Sequence, residues 1–205
     1  MAKFCPKPSS STAWRFEKQR LRRFATPIGC YCDRTGLDAL AAAPALVIAE
    51  GYATAVTLNK ALGFSTVAAF DAGNLPAVAQ ALHAKFPDKP VVIAGDDDRE
   101  VEAKQGVNPG RNKAEEAAQA VGGVKLLPIF APAEQAADPK GFTDFNDLAT
   151  KSVLGEEAVA RQASAVVDKA ITQHQQRTQR LQRDNAQHEQ PGKGREDRPK
   201  HSVHV

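Results

Sequence analysis

The chain has 205 residues, 42% of them hydrophobic and only 6% aromatic, with a net charge of +3; that is room for one domain of ordinary size plus extensions. No run approaches the roughly 18 apolar residues of a membrane helix, and the opening MAKFCPKPSSSTAWRF lacks the apolar stretch of a signal peptide, so a cytoplasmic protein without membrane partners is expected. Three cysteines, Cys5, Cys30 and Cys32, read as reduced thiols and supply no second ligand pair for a zinc site.

Residues 1–43 carry eight Lys/Arg against three acids, residues 172–205 seven against four, and residues 44–171 twelve against seventeen. An acidic centre between basic arms suits a metal site flanked by polyanion-binding segments, although solvated basic ends have the same composition. Within the basic N-terminal segment, of uncertain fold, WRFEKQRLRRF sets Trp14 and aromatic neighbours among Arg15, Lys18, Arg20, Arg22 and Arg23. Aromatic faces among cations serve single-stranded nucleic acid binding; a short amphipathic helix packed on the core shares the pattern.

From residue 44 the rhythm is regular. ALVIAE (45–50) reads as a strand ending at Glu50, and YATAVTLNKALG (52–63) as a helix closed by Gly63. STVAAF (65–70) is a second strand, and PAVAQALHAKF (76–86) a helix with Asn74 as candidate cap. PVVIAG (90–95) is a third strand, followed by Asp96, Asp97, Asp98 and a polar loop. A helix over 108–123 starts at Asn108–Pro109 and stops at Gly122, and VKLLPI (124–129) is a fourth strand. This alternation predicts an α/β fold with a central parallel sheet of about four strands and helices on both faces. Residues 151–184 can form one long C-terminal helix, and 185–205 reads as a disordered basic tail.

In parallel α/β sheets, sites form beyond the carboxyl ends of the strands, where Glu50 and the aspartate triplet stand. In extended backbone, residues i and i+2 point the same way, so Asp96 and Asp98 can converge while Asp97 points elsewhere. Converging carboxylates suit Mg²⁺, with Mn²⁺ as alternative; the ion keeps several waters and lets substrate phosphates complete its shell. A turn-capping role that binds nothing leaves three adjacent acids unexplained. DAGNL (71–75) and TDFNDL (143–148), the latter with Asp144 and Asp147, fall on the same edge, though each also fits ordinary turn chemistry.

EGYATAVTL, AFDAGNL, IAGDDD, NPGRNKAEEAA and DFNDL together resemble the Toprim domain, in the form found in plasmid and phage primases and the TraC-type conjugative primases. The resemblance covers residues 44–150 and implies a Rossmann-like Toprim catalytic domain. It makes Glu50 the acid/base or metal-organising residue and Asp96 and Asp98 the metal ligands, with Asp144 and Asp147 supporting a second ion. Gly51 would let backbone approach phosphate. From position and charge, Arg99, Arg111 and Lys113 are read as nucleotide-phosphate contacts, and Tyr52 as a packing or positioning residue.

The activity so implied is a Mg²⁺-dependent DNA primase-type nucleotidyltransferase making short RNA primers on single-stranded DNA from nucleoside triphosphates, in plasmid or mobile-element replication or transfer. A relaxase, helicase or other primase modules are the expected partners. The cysteines cannot build the zinc module such primases carry upstream, and residues 1–43 are too short for their N-terminal catalytic subdomain. A truncated primase, or the Toprim piece of a larger relaxase–primase, is therefore expected. The alternatives are a small Toprim nuclease using the same carboxylates and a non-catalytic nucleic-acid-binding fragment.

Overall fold

The computed structural model describes residues 26–28 and 35–188. The aromatic–basic stretch with Trp14, Arg15, Lys18, Arg20, Arg22 and Arg23, the three cysteines and the chain beyond residue 188 lie outside the described residues.

Four parallel strands form the centre: β2 (Leu46–Ala49), β3 (Thr66–Ala68), β4 (Val91–Ala94) and β5 (Val124–Leu126). The short strand β1 (Thr26–Ile28) adds an antiparallel edge against β3, giving the order β1-β3-β2-β4-β5. Together with helix α1 (Thr35–Ala42), it gives local structure to part of the N-terminal segment in which the sequence showed no pattern. The central strands LVIA and VVIA are buried throughout. Unbroken apolar runs, not alternation, mark strands covered on both faces.

Alternate residues of β2 feed two cores. Val47 and Ala49 face Leu58 of α2 (Tyr52–Leu62), Phe145 and Leu148 of α7 (Phe145–Thr150), and Val159 of α8 (Gly155–His188). Leu46 and Ile48 face Leu75 and Leu82 of α3 (Leu75–Lys85) and Ala114 and Ala118 of α5 (Pro109–Val121). Burying each such Leu or Ile side chain contributes roughly 1.5–3 kcal/mol. Small residues on α5 let it sit close to the sheet. The helix α8 runs past the expected end at 184, but its buried residues stop at Ala170, which is where the apolar spacing fades in the sequence.

Two details differ from the sequence reading. The polar loop after the aspartates contains helix α4 (Arg99–Gln105), closed by Gly106 at φ +74°; seven residues with no apolar face gave no periodic signal. Asn74 ends a 3-10 turn (Ala72–Asn74) and makes no side-chain cap. Its Nδ2 instead donates to Ala69 O at 3.0 Å, tying the turn back to β3.

Register fixes where function can sit. Ala68, Ala49, Ala94 and Leu126 are paired in one row across the sheet, so the four strands end level. From that row the chain leaves β2 toward α2 on one face and β4 toward α5 on the other. Adjacent strands departing to opposite faces open a crevice at their carboxyl ends. Glu50 and Asp96 stand at its mouth.

Candidate functional site

The ladder continues one step past the strands: Glu50 N–H donates to Ala94 O at 3.0 Å and Gly95 N–H to Leu126 O at 3.1 Å. These bonds hold Glu50 and Asp96 side by side, and Asp96 N–H leans toward Glu50 Oε2 at 3.4 Å. Asp144 arrives from the other core face as the cap of α7, its Oδ1 accepting from Asp147 N–H at 2.7 Å. Its second oxygen accepts from Thr54 Oγ1 at 3.2 Å, which ties α7 to the first turn of α2.

Electrostatics separate these acids into two kinds. Burial and the neighbouring charges of Glu50, Asp144, Asp98 and Asp147 push the pKa of Asp96 up to about 8. Burial also raises Glu50, partly offset by the Asp96 N–H, with Asp98, Asp71 and Asp144 adding to the rise. Asp144 is raised mainly by burial. Asp98 is raised by burial and by Asp97, while a hydrogen bond from Gly110 N–H pulls the other way.

Asp97 behaves oppositely. Burial alone would raise it, but hydrogen bonds from Arg111, Arg99 and Gln135 outweigh burial and hold it below the usual carboxylate range. Its two oxygens accept from Arg111 Nη2 (2.5 Å), Asn108 Nδ2 (3.0 Å), Arg99 Nε (2.9 Å) and Gln135 Nε2 (3.1 Å). Its backbone N–H donates to Thr143 O at 2.8 Å. Asp97 thus clamps the loop after β4 to α4, α5, α6 (Glu134–Ala137) and the segment before α7. The i, i+2 alternation leaves Asp96 and Asp98 for the crevice.

The structure pairs Arg99, Arg111 and Lys113, read in the sequence as nucleotide-phosphate contacts, with carboxylates of this chain. Arg99 and Arg111 hold Asp97, Arg111 also holds Glu102, and Lys113 pairs with Glu116. Asp147 is bound by Lys151 and Thr143, and these contacts overcome burial to lower its pKa. Gly51 precedes α2 as its cap residue, and a Cβ there would meet only Thr54 Oγ1, at 3.9 Å, so outside groups have room to approach.

The sequence reading missed Gly95 and Gly110. A Cβ on Gly110 would lie 2.7 Å from Asp96 O and 2.9 Å from Glu50 Oε2; one on Gly95 would lie 2.6 Å from Ala114 Cβ. Their contact brings the start of α5 against the carboxylates. A glycine in the first turn of a helix costs stability, so NPGR was a readable sign of close approach. Thr54 and Gln135 carried no such sign, because their partners are 90 and 38 residues away.

A hard divalent cation fits these residues. Asp96 Oδ1 is buried without a hydrogen-bond partner, and mutual repulsion among Glu50, Asp96, Asp98 and Asp144 is relieved by added positive charge. Among the described residues, no three His, Cys, Asp or Glu side chains form a cage of their own. Mg²⁺ does not need one, since one or two protein carboxylates, water and substrate oxygens complete its shell.

Comparison with known proteins bears on the fold and the family. The Toprim domain family matches residues 45–153. A protein named DNA primase TraC, from Escherichia coli, is 47% identical over 219 residues, covering 79% of this chain and 21% of that protein. A second Escherichia coli DNA primase TraC is 47% identical over 202 residues, covering 72% of this chain and 14% of its own length. The chain therefore spans about a fifth or less of these relatives. No solved structure matches it.

Proposed function

The chain belongs to the Toprim family, and from that premise we propose that it is the Mg²⁺-dependent phosphoryl-transfer module of a DNA primase-type nucleotidyltransferase. It would join nucleoside triphosphates into short RNA primers on single-stranded DNA during plasmid or mobile-element replication or transfer. The observation that carries this reading is the crevice between β2 and β4, where the charges of Asp98 and Asp144 act on Glu50 and Asp96 while the nearby cations are spent on Asp97 and Asp147. The shared identity with two DNA primases supports this substrate class over other phosphoryl transfers.

Asp96 and Asp98 would hold Mg²⁺ or Mn²⁺ beside Glu50, with Asp144 supporting a second ion. Asp147 could join only by releasing Lys151. When bound, such ions neutralise charge on the attacking and leaving oxygens of a phosphoryl transfer. The protein's own part is positioning and proton handling. Asp97 and its bracket hold the two ligand carboxylates at fixed height above the sheet. Glu50, with Oε2 accepting from the Asp96 N–H and its pKa raised, would take the proton of an attacking hydroxyl onto its carboxylate. Gly51 leaves its backbone open to phosphate. Arg99, about half exposed, can turn outward to a phosphate more readily than Arg111, which two carboxylates hold.

One gel tests this. Purified protein is incubated with labelled nucleoside triphosphates, end-labelled single-stranded DNA and Mg²⁺, beside the Asp96→Ala/Asp98→Ala double variant. New oligomers formed by the wild type alone support a primase. A shortened DNA strand assigns the carboxylates to a nuclease instead. If neither label changes, the module does not catalyse by itself. Asp98→Ala should keep the fold, since it removes like-charge repulsion, and lose Mg²⁺ binding in calorimetry; unchanged Mg²⁺ affinity would remove Asp98 from the site.

A further inference from the structure

Two large side chains beside the carboxylate crevice have no role in either core. Tyr52 is 50% exposed and Phe70 59% exposed, in a chain where aromatics make up only 6% of residues. Their rings are nearly parallel, inclined by 10°, with centroids 6.5 Å apart. That spacing is at the long end for stacked pairs, so the rings shield each other little.

Phe70 has φ +65°. A bulky residue in the left-handed region is strained, whereas glycine would adopt it freely. Such strain persists where surrounding structure enforces it, and it concentrates at ligand sites. Burial offers no compensation here, because the ring projects into solvent.

Place in the chain ties the pair to the crevice. Tyr52 follows Glu50 by two residues, which puts their Cα atoms at most about 7 Å apart. Phe70 immediately precedes Asp71, whose charge is among those acting on Glu50. β2 and β3 are neighbours that end level, so the two rings and the acids share one rim.

We propose that Tyr52 and Phe70 form a stacking platform for the base of the nucleoside triphosphate whose phosphates lie at the carboxylates. This rests on the phosphoryl-transfer reading above and adds to it the element that holds the base. Every base has a π face, so such a platform binds without selecting sequence, as a polymerising enzyme that accepts several nucleotides requires. The acidic rim favours a nucleotide arriving with its own divalent cation over a bare phosphodiester strand.

The test uses the full chain with saturating Mg²⁺ and three probes in calorimetry: ATP, tripolyphosphate as a similar charge without a base, and a single-stranded oligonucleotide. The variants are Tyr52→Leu, Phe70→Gly and Tyr52→Trp. ATP affinity is expected to fall on the order of 5- to 10-fold or more in the first two. Tyr52→Trp should keep it, and tripolyphosphate affinity should not change. Phe70→Gly should melt no lower than wild type, since glycine relieves the positive φ; a clear drop in melting temperature would make Phe70 a structural residue and overturn the proposal. Unchanged ATP affinity in both Tyr52→Leu and Phe70→Gly would overturn it too. If only a single-stranded oligonucleotide lost affinity, the occupant would be a strand and not a nucleotide. Failure of wild-type protein to bind even tripolyphosphate would instead overturn the phosphoryl-transfer reading beneath it.

Discussion

Replacing Asp96 by Asn should make the metal-free protein more stable, and by an amount that depends on pH. Between the ordinary carboxylate value of 3.8 and about 8, the folded chain keeps a proton on Asp96 that the unfolded chain has released. Folding then takes up a proton, so stability falls as pH rises through that window. The full shift, at 1.36 kcal/mol per pK unit, corresponds to about 6 kcal/mol. Side-chain relaxation and water entry offset part of such penalties, which leaves an expected loss of roughly 2–4 kcal/mol between pH 5 and pH 8.5. Asn keeps the shape and carries no charge, so the variant's curve should fall less steeply than that of wild type and lie above it at pH 8.5, keeping the slope that Glu50 and Asp144 still contribute. Urea unfolding at several pH values in EDTA measures this directly. Repeating it with Mg²⁺ adds a second check: at a hundredfold excess over Kd, ligand linkage adds about 2.7 kcal/mol to wild type alone, and more at pH 8.5 than at pH 5.5 because proton and metal compete. Parallel pH curves for the two proteins would refute the reasoning.

Asp97→Asn should have the opposite effect on the fold, costing roughly 2–4 kcal/mol, because it leaves Arg111 and Arg99 facing a neutral partner. Since the pKa of Asp97 is lowered, its contribution is present above about pH 4 and fades below, so the variant should lose part of the wild type's acid-limb slope in the same urea series. Gly110→Ala forces a Cβ against Asp96 O and Glu50 Oε2; a stability loss of about 1–3 kcal/mol with weaker Mg²⁺ binding is expected from thermal melts and calorimetry. Thr54→Val removes the hydroxyl that donates to Asp144 and should cost about 1 kcal/mol, with thermal unfolding as the measure.

The fold was legible because its information is local. LVIA and VVIA announce strands buried on both faces, and Gly63 and Gly122 close their helices at φ +73° and +61° as helix-stop residues do. Asn108 caps α5 as expected, accepting from Arg111 N–H at 3.1 Å. Helix α4 and strand β1 were not legible: seven residues with only Val101 and Ala103 apolar, and a strand of three, have too little periodicity to stand out. At the site, the rim position of Glu50, Asp96 and Asp98 followed from strand ends and i, i+2 alternation. The destinations of Arg99, Arg111 and Lys113 did not follow, because a charge count shows where cations are but not which carboxylate reaches them first. Gln135 bonding Asp97 across 38 residues is a tertiary event with no local trace.

Three adjacent aspartates would be a liability if all did the same work, and the structure shows that they do not. The middle one is neutralised internally, by Arg111 and Arg99 with Asn108 and Gln135 completing its hydrogen bonds. The outer two receive no cation from the described residues; Asp96 remains crowded by Glu50, Asp144 and Asp98, and Asp98 adds its charge to Glu50. The two conditions are linked. Without the bracket on Asp97, the loop after β4 would relax and let Asp96 and Asp98 separate, lowering their mutual repulsion and with it their affinity for a divalent ion. Strong fixation of the middle carboxylate thus keeps the outer pair in an unfavourable arrangement, which on the proposed reading an external cation relieves. It follows that Asp97→Asn should weaken Mg²⁺ binding without removing a ligand. Arg111→Met should do the same while leaving all three carboxylates in place. A calorimetric titration in which Arg111→Met binds Mg²⁺ as wild type does would mean that the crevice is held by the sheet alone.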